Sequence, residues 1–354
     1  MNEPPPIIES SSASQPRRRP RVWIAWAIIA TILLMLSLAA NGLLLGALSL
    51  LSPFAEDSGD VRFEETRIGG DADAKNKIAV VHVQDLISFQ MPGATAEEGM
   101  VGDIKHQLAR AAKDKAVKAI LLAIESPGGE VTASDVIHHA VLETKKKSGL
   151  PVVASMGSLA TSGGYYVAVS ADWIVAHPTT LTGSIGVIFR LWNYRGLMNK
   201  RGVKPMVYKS GRMKDMLSPE KEESEITPEE RELVQQLVMR DYNRFVGIVA
   251  QGRKLNVEQL KAGLADGRVL SGEEALAHKF VDQLGYFEDA VAKAKSLAKI
   301  EQARLVKYES PFSLRKLFSL FAIRGWSSGL LPAVGKDLQL ENGRLYYLPP
   351  GWLH

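Results

Sequence analysis

The sequence predicts an α/β domain of mostly parallel strands behind one membrane-spanning helix. Residues 22–51 hold 30 consecutive positions without a charge. From Lys77 onward, short apolar runs alternate with amphipathic stretches in units of about 30 residues, the pattern of strand–helix repeats. Two capping boxes, Thr227 with Glu230 and Ser271 with Glu274, mark helix starts later in the chain.

The apolar run VWIAWAIIATILLMLSLAANGLLLGALSLL would extend about 45 Å as a helix, more than the ~30 Å hydrocarbon core of a bilayer. Trp23 and Trp26 stand where an interfacial aromatic belt is expected. Arg17, Arg18, Arg19 and Arg21 come just before it, which places the N-terminus in the cytoplasm and the rest on the far side. Ser37-Leu38-Ala39 and Ala47-Leu48-Ser49 offer small residues for signal-peptide cleavage. The run exceeds the roughly 7–15 residues of a signal-peptide core, so an uncleaved anchor is expected. The Arg pair is a poor twin-arginine match, because Pro20 follows it.

Residues 52–76 are polar and rich in Gly and Asp, as in a tether. Apolar runs at 78–83, 117–126 and 151–156 read as buried strands, with further strands at 173–178, 183–189 and 204–210. Between them, 97–113 reads as a helix with Val101, Ile104 and Leu108 on one face. Pro127-Gly128-Gly129 reads as a turn, and Thr132 with Asp135 as the cap of the next helix. After 151–156, a Gly/Ser-rich segment leads into a short helix through Tyr165, Tyr166 and Val169. The Thr227 box carries Pro228 at the first helical position and opens a long helix with a stripe from Leu233 to Val249. Residues 313–326 mix basic side chains with Leu, Phe and Trp, which suits either lipid or a protein surface.

Composition narrows the function. The 354 residues are 46% hydrophobic and 23% charged, values of a globular chain. No cysteine is present, which excludes disulfides, Cys-ligated zinc and a thiol nucleophile. Half of the net charge of +4 lies in the first 21 residues, so no basic face for nucleic acid is implied. No HExxH, phosphate-loop or GxGxxG pattern occurs, and no metal or cofactor is expected. His82, His138, His139 and His177 fall in strand-like or helical runs and read as structural.

Ser162 stands apart. The segment Gly157-Ser158-Leu159-Ala160-Thr161-Ser162-Gly163-Gly164 leaves a buried strand and enters a helix. Such a junction presents a hydroxyl beside backbone N–H groups that can face a developing oxyanion. A plain N-cap role explains the same residue equally well.

The blocks IESPGG, GSLATSGGYYVAVSAD, TLTGSIGVI, SGRMKDMLSP and ADGRVLSGEEALAHKFVDQLG occur in this order between about residues 77 and 295. Together they resemble the signal peptide peptidase A (protease IV) family of membrane-anchored serine proteases, in its short single-domain form. SPGG alone is shared with Clp proteases and crotonase-fold enzymes. The resemblance implies a ClpP/crotonase-like spiral of β-β-α units. Together with the apolar run and the polar stretch after it, this divides the chain into a cytoplasmic basic tail (1–21), a transmembrane signal-anchor (22–51), a linker (52–76), the protease domain (77–300) and a C-terminal extension (301–354). The resemblance also implies a Ser–Lys dyad: Ser162 as nucleophile, Lys214 as general base, Ser184 positioning the lysine amine, and the backbone N–H groups of Gly129 and Gly163 as oxyanion hole.

A free lysine, with a pKa of about 10.4, cannot accept a proton near neutrality. Desolvation disfavours the ammonium, and Met213, Met216 and Leu217 flank Lys214 with apolar surface. A salt bridge from Asp215 would work against that, so Asp215 is expected to point away.

The resemblance further implies remnant signal peptides as substrates, at the extracytoplasmic face of a bacterial inner membrane. It implies a homo-oligomeric ring, an octamer being one size, in which Ser and Lys come from neighbouring protomers. Other readings are a related membrane protease cutting one protein such as a stomatin-like partner, a non-catalytic ring scaffold, or a Ser155/His177 enzyme of the Clp type. Crotonase chemistry explains neither the anchor nor Lys214.

Overall fold

The computed structural model of the protein describes residues 22–51, 63–89, 99–309 and 345–347. Its contacts divide the chain into two units, Met1–Asp60 and Val61–His354. The basic tail at 1–21 and the amphipathic stretch at 313–326 lie outside the described residues.

The first unit contains helix α1, Val22–Leu51. Its window Trp23–Leu44 has a mean hydropathy of 2.3 and buries nothing against protein, so it is long and apolar enough to cross a membrane. Two of its polar side chains are satisfied within the helix: Thr31 Oγ1 donates to the Ala27 carbonyl at 2.8 Å, and Asn41 Nδ2 to that of Ser37 at 2.7 Å. That arrangement suits surroundings that offer no water.

The second unit is built on a twisted mixed sheet. Its first half contains β1 (Glu64–Gly70), β2 (Lys77–Ile87), α2 (Met100–Lys113), β3 (Val117–Glu130), α3 (Val131–Ser148), β4 (Val152–Thr161) and α4 (Gly163–Ala168). Then follow β5 (Trp173–Ala176), β6 (Leu181–Gly183), β7 (Ile188–Phe189), α5 (Arg195–Lys200), α6 (Pro228–Arg253) and α7 (Val257–Ala262). The described chain closes with β8 (Val269–Ser271), α8 (Gly272–Ala277), β9 (Gln283–Leu284), α9 (Phe287–Ala298), β10 (Arg304–Glu309) and β11 (Leu345–Tyr347). The main order is β1-β10-β2-β3-β4-β5-β9. All neighbours in it are parallel except β1, which runs antiparallel to β10 at the edge.

Central strands buried on both faces read as continuous apolar runs. Along β2, Ala79, Val81 and Val83 face the core shared with Ile104 of α2, Ile137 of α3 and Phe245 of α6. Ile78 and Val80 face the opposite core, closed by Ala290 and Ala294 of α9. Alternation of successive side chains across the sheet produces this division.

The spiral expected of β-β-α units arises where β4 changes neighbours. Up to Met156 it pairs with β5; from Leu159 it pairs with β6. The β3–β4 register jumps between Ile124 and Ser126, with Met156 and then Ala160 opposite. Those extra residues bend the sheet, so a second layer of short strands, β6 with β8, forms beside the first.

Several local expectations are corrected. Pro127-Gly128-Gly129 does not end its strand: β3 continues through it, held by Leu86 and Ile87 of β2 opposite Gly128 and Gly129. Thr132 is not a cap, because helix α3 starts at Val131, and Asp135 instead accepts from Tyr166 Oη at 2.6 Å and pairs with Arg244. Residues 204–210 form no strand: Met206 is 79% and Tyr208 89% exposed, so no neighbouring strand covers them. Within the segment read as tether, residues 64–70 are strand β1. Both capping boxes form, with Glu230 N donating to Thr227 Oγ1 at 3.2 Å and Glu274 N to Ser271 Oγ at 3.2 Å.

His138 sits on α3, its ring edge-on to Tyr166 at 5.3 Å. Burial holds its imidazole down to about 4, below the ordinary 6.5. The folded chain therefore binds this proton less readily than the unfolded one. The stability so contributed is complete above about pH 6.5 and is lost as pH falls toward about 4, a total of about 3 kcal/mol. Urea unfolding of wild type and His138→Gln across that window should show this difference in slope.

Candidate active site

Strand β4 ends at Thr161, and helix α4 begins at Gly163. Ser162 between them adopts φ +51° and ψ −113°, a left-handed conformation for a residue with a side chain. A non-glycine residue held there costs on the order of 1–3 kcal/mol. Its backbone is fixed on both sides. The Ser162 N–H donates to the Gly183 carbonyl at 2.8 Å, and its own carbonyl accepts from Tyr166 N at 2.8 Å. Thr161 Oγ1 donates to the Pro127 carbonyl at 3.0 Å, and Thr182 Oγ1 to that of Ala160 at 2.7 Å.

Helix α4 is pinned from behind by its two tyrosines. Tyr165 Oη donates to the Phe280 carbonyl at 2.9 Å, and Tyr166 Oη to Asp135. Both rings are fully buried. The junction therefore has no freedom to relax toward an ordinary turn.

The Ser162 hydroxyl is itself fully buried, and among the described residues it has no hydrogen-bond partner. A buried hydroxyl without a partner costs roughly 1–3 kcal/mol. A structural serine would be expected to recover that cost; a nucleophile awaiting base and substrate would not.

Gly128, Gly129 and Gly163, the residue after Ser162, pack too closely for anything larger. Gly128 has φ +105°, and a Cβ on it would lie 2.6 Å from Gly163 N and 2.2 Å from the Tyr347 carbonyl oxygen. A Cβ on Gly163 would lie 3.0 Å from Gly129 N. The Gly129 and Gly163 backbones thus approach each other, as a two-donor oxyanion hole requires. Ser126 holds the loop in place, its Oγ donating to the Asp85 carbonyl at 2.6 Å and accepting from Gly128 N at 3.1 Å.

Of the five residues expected from sequence, Ser162, Gly129 and Gly163 come together. Ser184 joins them through the chain: it follows Gly183, whose carbonyl holds Ser162. Ser184 is buried, has φ +50°, and donates its N–H to the Arg268 carbonyl at 2.8 Å. Lys214 does not join them within one chain. It is exposed, in a turn closed by its N–H on the Gly211 carbonyl at 3.1 Å. Asp215 turns elsewhere, to Lys209 at 2.7 Å and Lys221 at 3.5 Å, and the Lys209 hydrogen bond holds its carboxyl below the ordinary range.

Ser155 and His177 line one cavity, but among the described residues no hydrogen bond joins them. Ser155 lies within β4, opposite Ala123 and Val175. His177 Nδ1 is taken by Thr179, at 2.8 Å from its Oγ1 and 3.2 Å from its N–H.

One neighbour of the site was not foreseen. Strand β11 lies antiparallel to β3, with Tyr347 opposite Gly129. No local pattern announces it, since its partners are more than 150 residues earlier in the chain.

Residues 144–301 match Peptidase family S49, and residues 85–183 match Clp protease. A putative signal peptide peptidase SppA of Enterococcus faecium is 42% identical over 204 residues, 58% of each chain. A putative protease of Methanocaldococcus jannaschii is 40% identical over 237 residues, 67% of this chain and 74% of that one. Protease 4 of Salmonella typhi is 39% identical over 239 residues, 67% of this chain and 37% of that one. The chain thus spans 58% and 37% of the lengths of the Enterococcus and Salmonella proteins.

Gly128→Ala is expected to suppress fluorophosphonate labelling of Ser162 by roughly tenfold or more, because the added methyl displaces the Gly163 amide. Gly202→Ala is the control: φ there is +70°, yet a Cβ would meet nothing within 4 Å. Labelling of that variant should match wild type, even if both variants unfold at lower urea.

Proposed function

The chain belongs to peptidase family S49, and on that premise we propose that it is a membrane-anchored serine endopeptidase using a Ser162–Lys214 dyad. The observation that carries this reading is the Ser162 hydroxyl, buried and unpartnered among the described residues, in a chain segment whose next residue, Gly163, packs backbone to backbone against Gly128 and Gly129. In the proposed reaction Ser162 Oγ attacks a peptide carbonyl and the Gly129 and Gly163 N–H groups hold the oxyanion. Lys214 takes the hydroxyl proton and returns it to the leaving amine, as a general base and acid. Ser184 orients the lysine amine.

Lys214 comes from a neighbouring protomer in this scheme. Its segment carries apolar surface that one chain leaves uncovered: Trp192 is 61%, Met206 79% and Tyr208 89% exposed. A neighbouring copy would cover such surface and desolvate the lysine, which disfavours the ammonium. Helix α1 would hold the assembly on a bacterial inner membrane, with the N-terminus cytoplasmic and the sites outside. Remnant signal peptides are the proposed substrates, apolar and extended, entering a groove lined by strand backbone.

Ser162→Ala and Lys214→Ala should each lower peptide hydrolysis by roughly a thousandfold or more, while His177→Ala stays near wild type. Mixing the two inactive variants during assembly should restore about a quarter of the wild-type rate, because one interface in four pairs an intact serine with an intact lysine. No recovery in a verified mixed oligomer would place both residues in one protomer. A dead His177→Ala with an active Lys214→Ala would overturn the dyad.

A further inference from the structure

The lysine proposed as base is followed directly by a carboxylate that could disable it. Lys214 and Asp215 are consecutive, with Cα atoms about 3.8 Å apart. A negative charge so near favours the ammonium over the free amine. The two side chains nevertheless have different surroundings. Lys214 is exposed, whereas the Asp215 side chain is 13% exposed and lines a cavity of about 620 Å³ beneath the loop.

Two lysines of the same loop hold Asp215 there. Lys209 Nζ donates to Asp215 Oδ2 at 2.7 Å, and Lys221 Nζ lies 3.5 Å from Oδ1. Oδ1 is buried and accepts no hydrogen bond among the described residues, so the Lys221 charge compensates it on that side. Lys221 is in turn fixed by Glu230 of α6 at 2.5 Å. Glu230 accepts from the Thr227 N–H at 2.8 Å, which ties the cluster to the start of a long helix.

The cavity is balanced in charge. Arg195 and Arg212 line it with the two lysines, and Glu220, Glu225 and Glu230 line it with Asp215. The arginines are already engaged, Arg195 with Glu222 at 2.8 Å and Arg212 with Glu229 at 2.6 Å. Arg231, next to Glu230 on α6, pairs with Glu223. None of these three therefore stands ready to replace a missing lysine at Asp215. The Lys209 hydrogen bond holds the Asp215 carboxyl below its ordinary range, so near and above neutrality it is a charge to be compensated.

We propose that Lys209 and Lys221 are positioning residues for the base: they hold and neutralise Asp215, so that Lys214 stays free to lose its proton and to reach a neighbouring site. The device depends on Lys214 being the base, as proposed above. Without Lys209 the cavity carries one net negative charge, beside the base in the chain. A unit charge a few ångströms from a half-solvated ammonium shifts its titration by about one pH unit. The sign is upward, because the added negative charge favours the protonated lysine.

The test is the pH–rate profile of peptide hydrolysis by the full-length enzyme in detergent, with oligomer size measured for every variant. Lys209→Met should move the Lys214-dependent rising limb up by about one pH unit, a roughly tenfold slower rate along the limb, and should keep the plateau at high pH. Lys221→Met should move the limb in the same direction. Asp215→Asn added to Lys209→Met should return the limb to its wild-type position, since no carboxylate then needs compensation. Lys147→Met, which removes an exposed charge on α3, should leave the limb in place. A limb that stays in place in both Lys209→Met and Lys221→Met, or a lowered plateau without a shift, overturns the inference and leaves the dyad standing. Loss of the oligomer in both lysine variants makes the pair a structural clamp and overturns it as well. A limb that persists in Lys214→Ala removes the base and the inference together.

Discussion

The structure depends on holding one serine in a backbone conformation it would not choose. Ser162 has φ +51°, its N–H is tied to Gly183 and its carbonyl to helix α4. The strain and the unpaired hydroxyl are local costs on the order of a kcal/mol each. They persist because the surroundings leave no alternative: β4 is buried behind the junction, and Tyr165 and Tyr166 anchor the helix ahead of it. The change of partner along β4, from β5 to β6, brings the Gly183 carbonyl to Ser162 and sets Ser184 next to it. The sheet bend and the site are thus one feature.

Much of this was legible in sequence because it is local. A buried apolar strand running into Thr-Ser-Gly-Gly announces a strand–helix junction, and the Thr227 and Ser271 boxes announce helix starts. What escaped is what only neighbours decide. Pro127-Gly128-Gly129 carries turn chemistry, yet pairing with β2 keeps it in the sheet while Gly128 absorbs the bend at φ +105°. Residues 204–210 have the composition of a strand, but among the described residues no strand pairs with them. Strand β1 is polar and lies at an edge, so no alternation marks it. Tyr347 reaches the site across the whole domain, which no window of local sequence can reveal.

In the proposed dyad the lysine is the other half of the constraint. A base of this kind must lose its proton near neutrality, and water around an exposed ammonium prevents that. One chain keeps Lys214 in solvent and engages Asp215 with other lysines. That division makes sense if the missing apolar wall is supplied by a second copy and by the peptide itself. Activity would then be confined to the assembled state, away from single chains on their way to the membrane.

The most direct measurement of this account is the pH–rate profile of Ser162-dependent peptide hydrolysis by the assembled enzyme. A lysine base desolvated at the interface predicts a rising limb between about pH 7 and 9. The small residual rate of Lys214→Ala should lack that limb. A limb at about pH 6–7 that survives in Lys214→Ala and disappears when a histidine is replaced would contradict it.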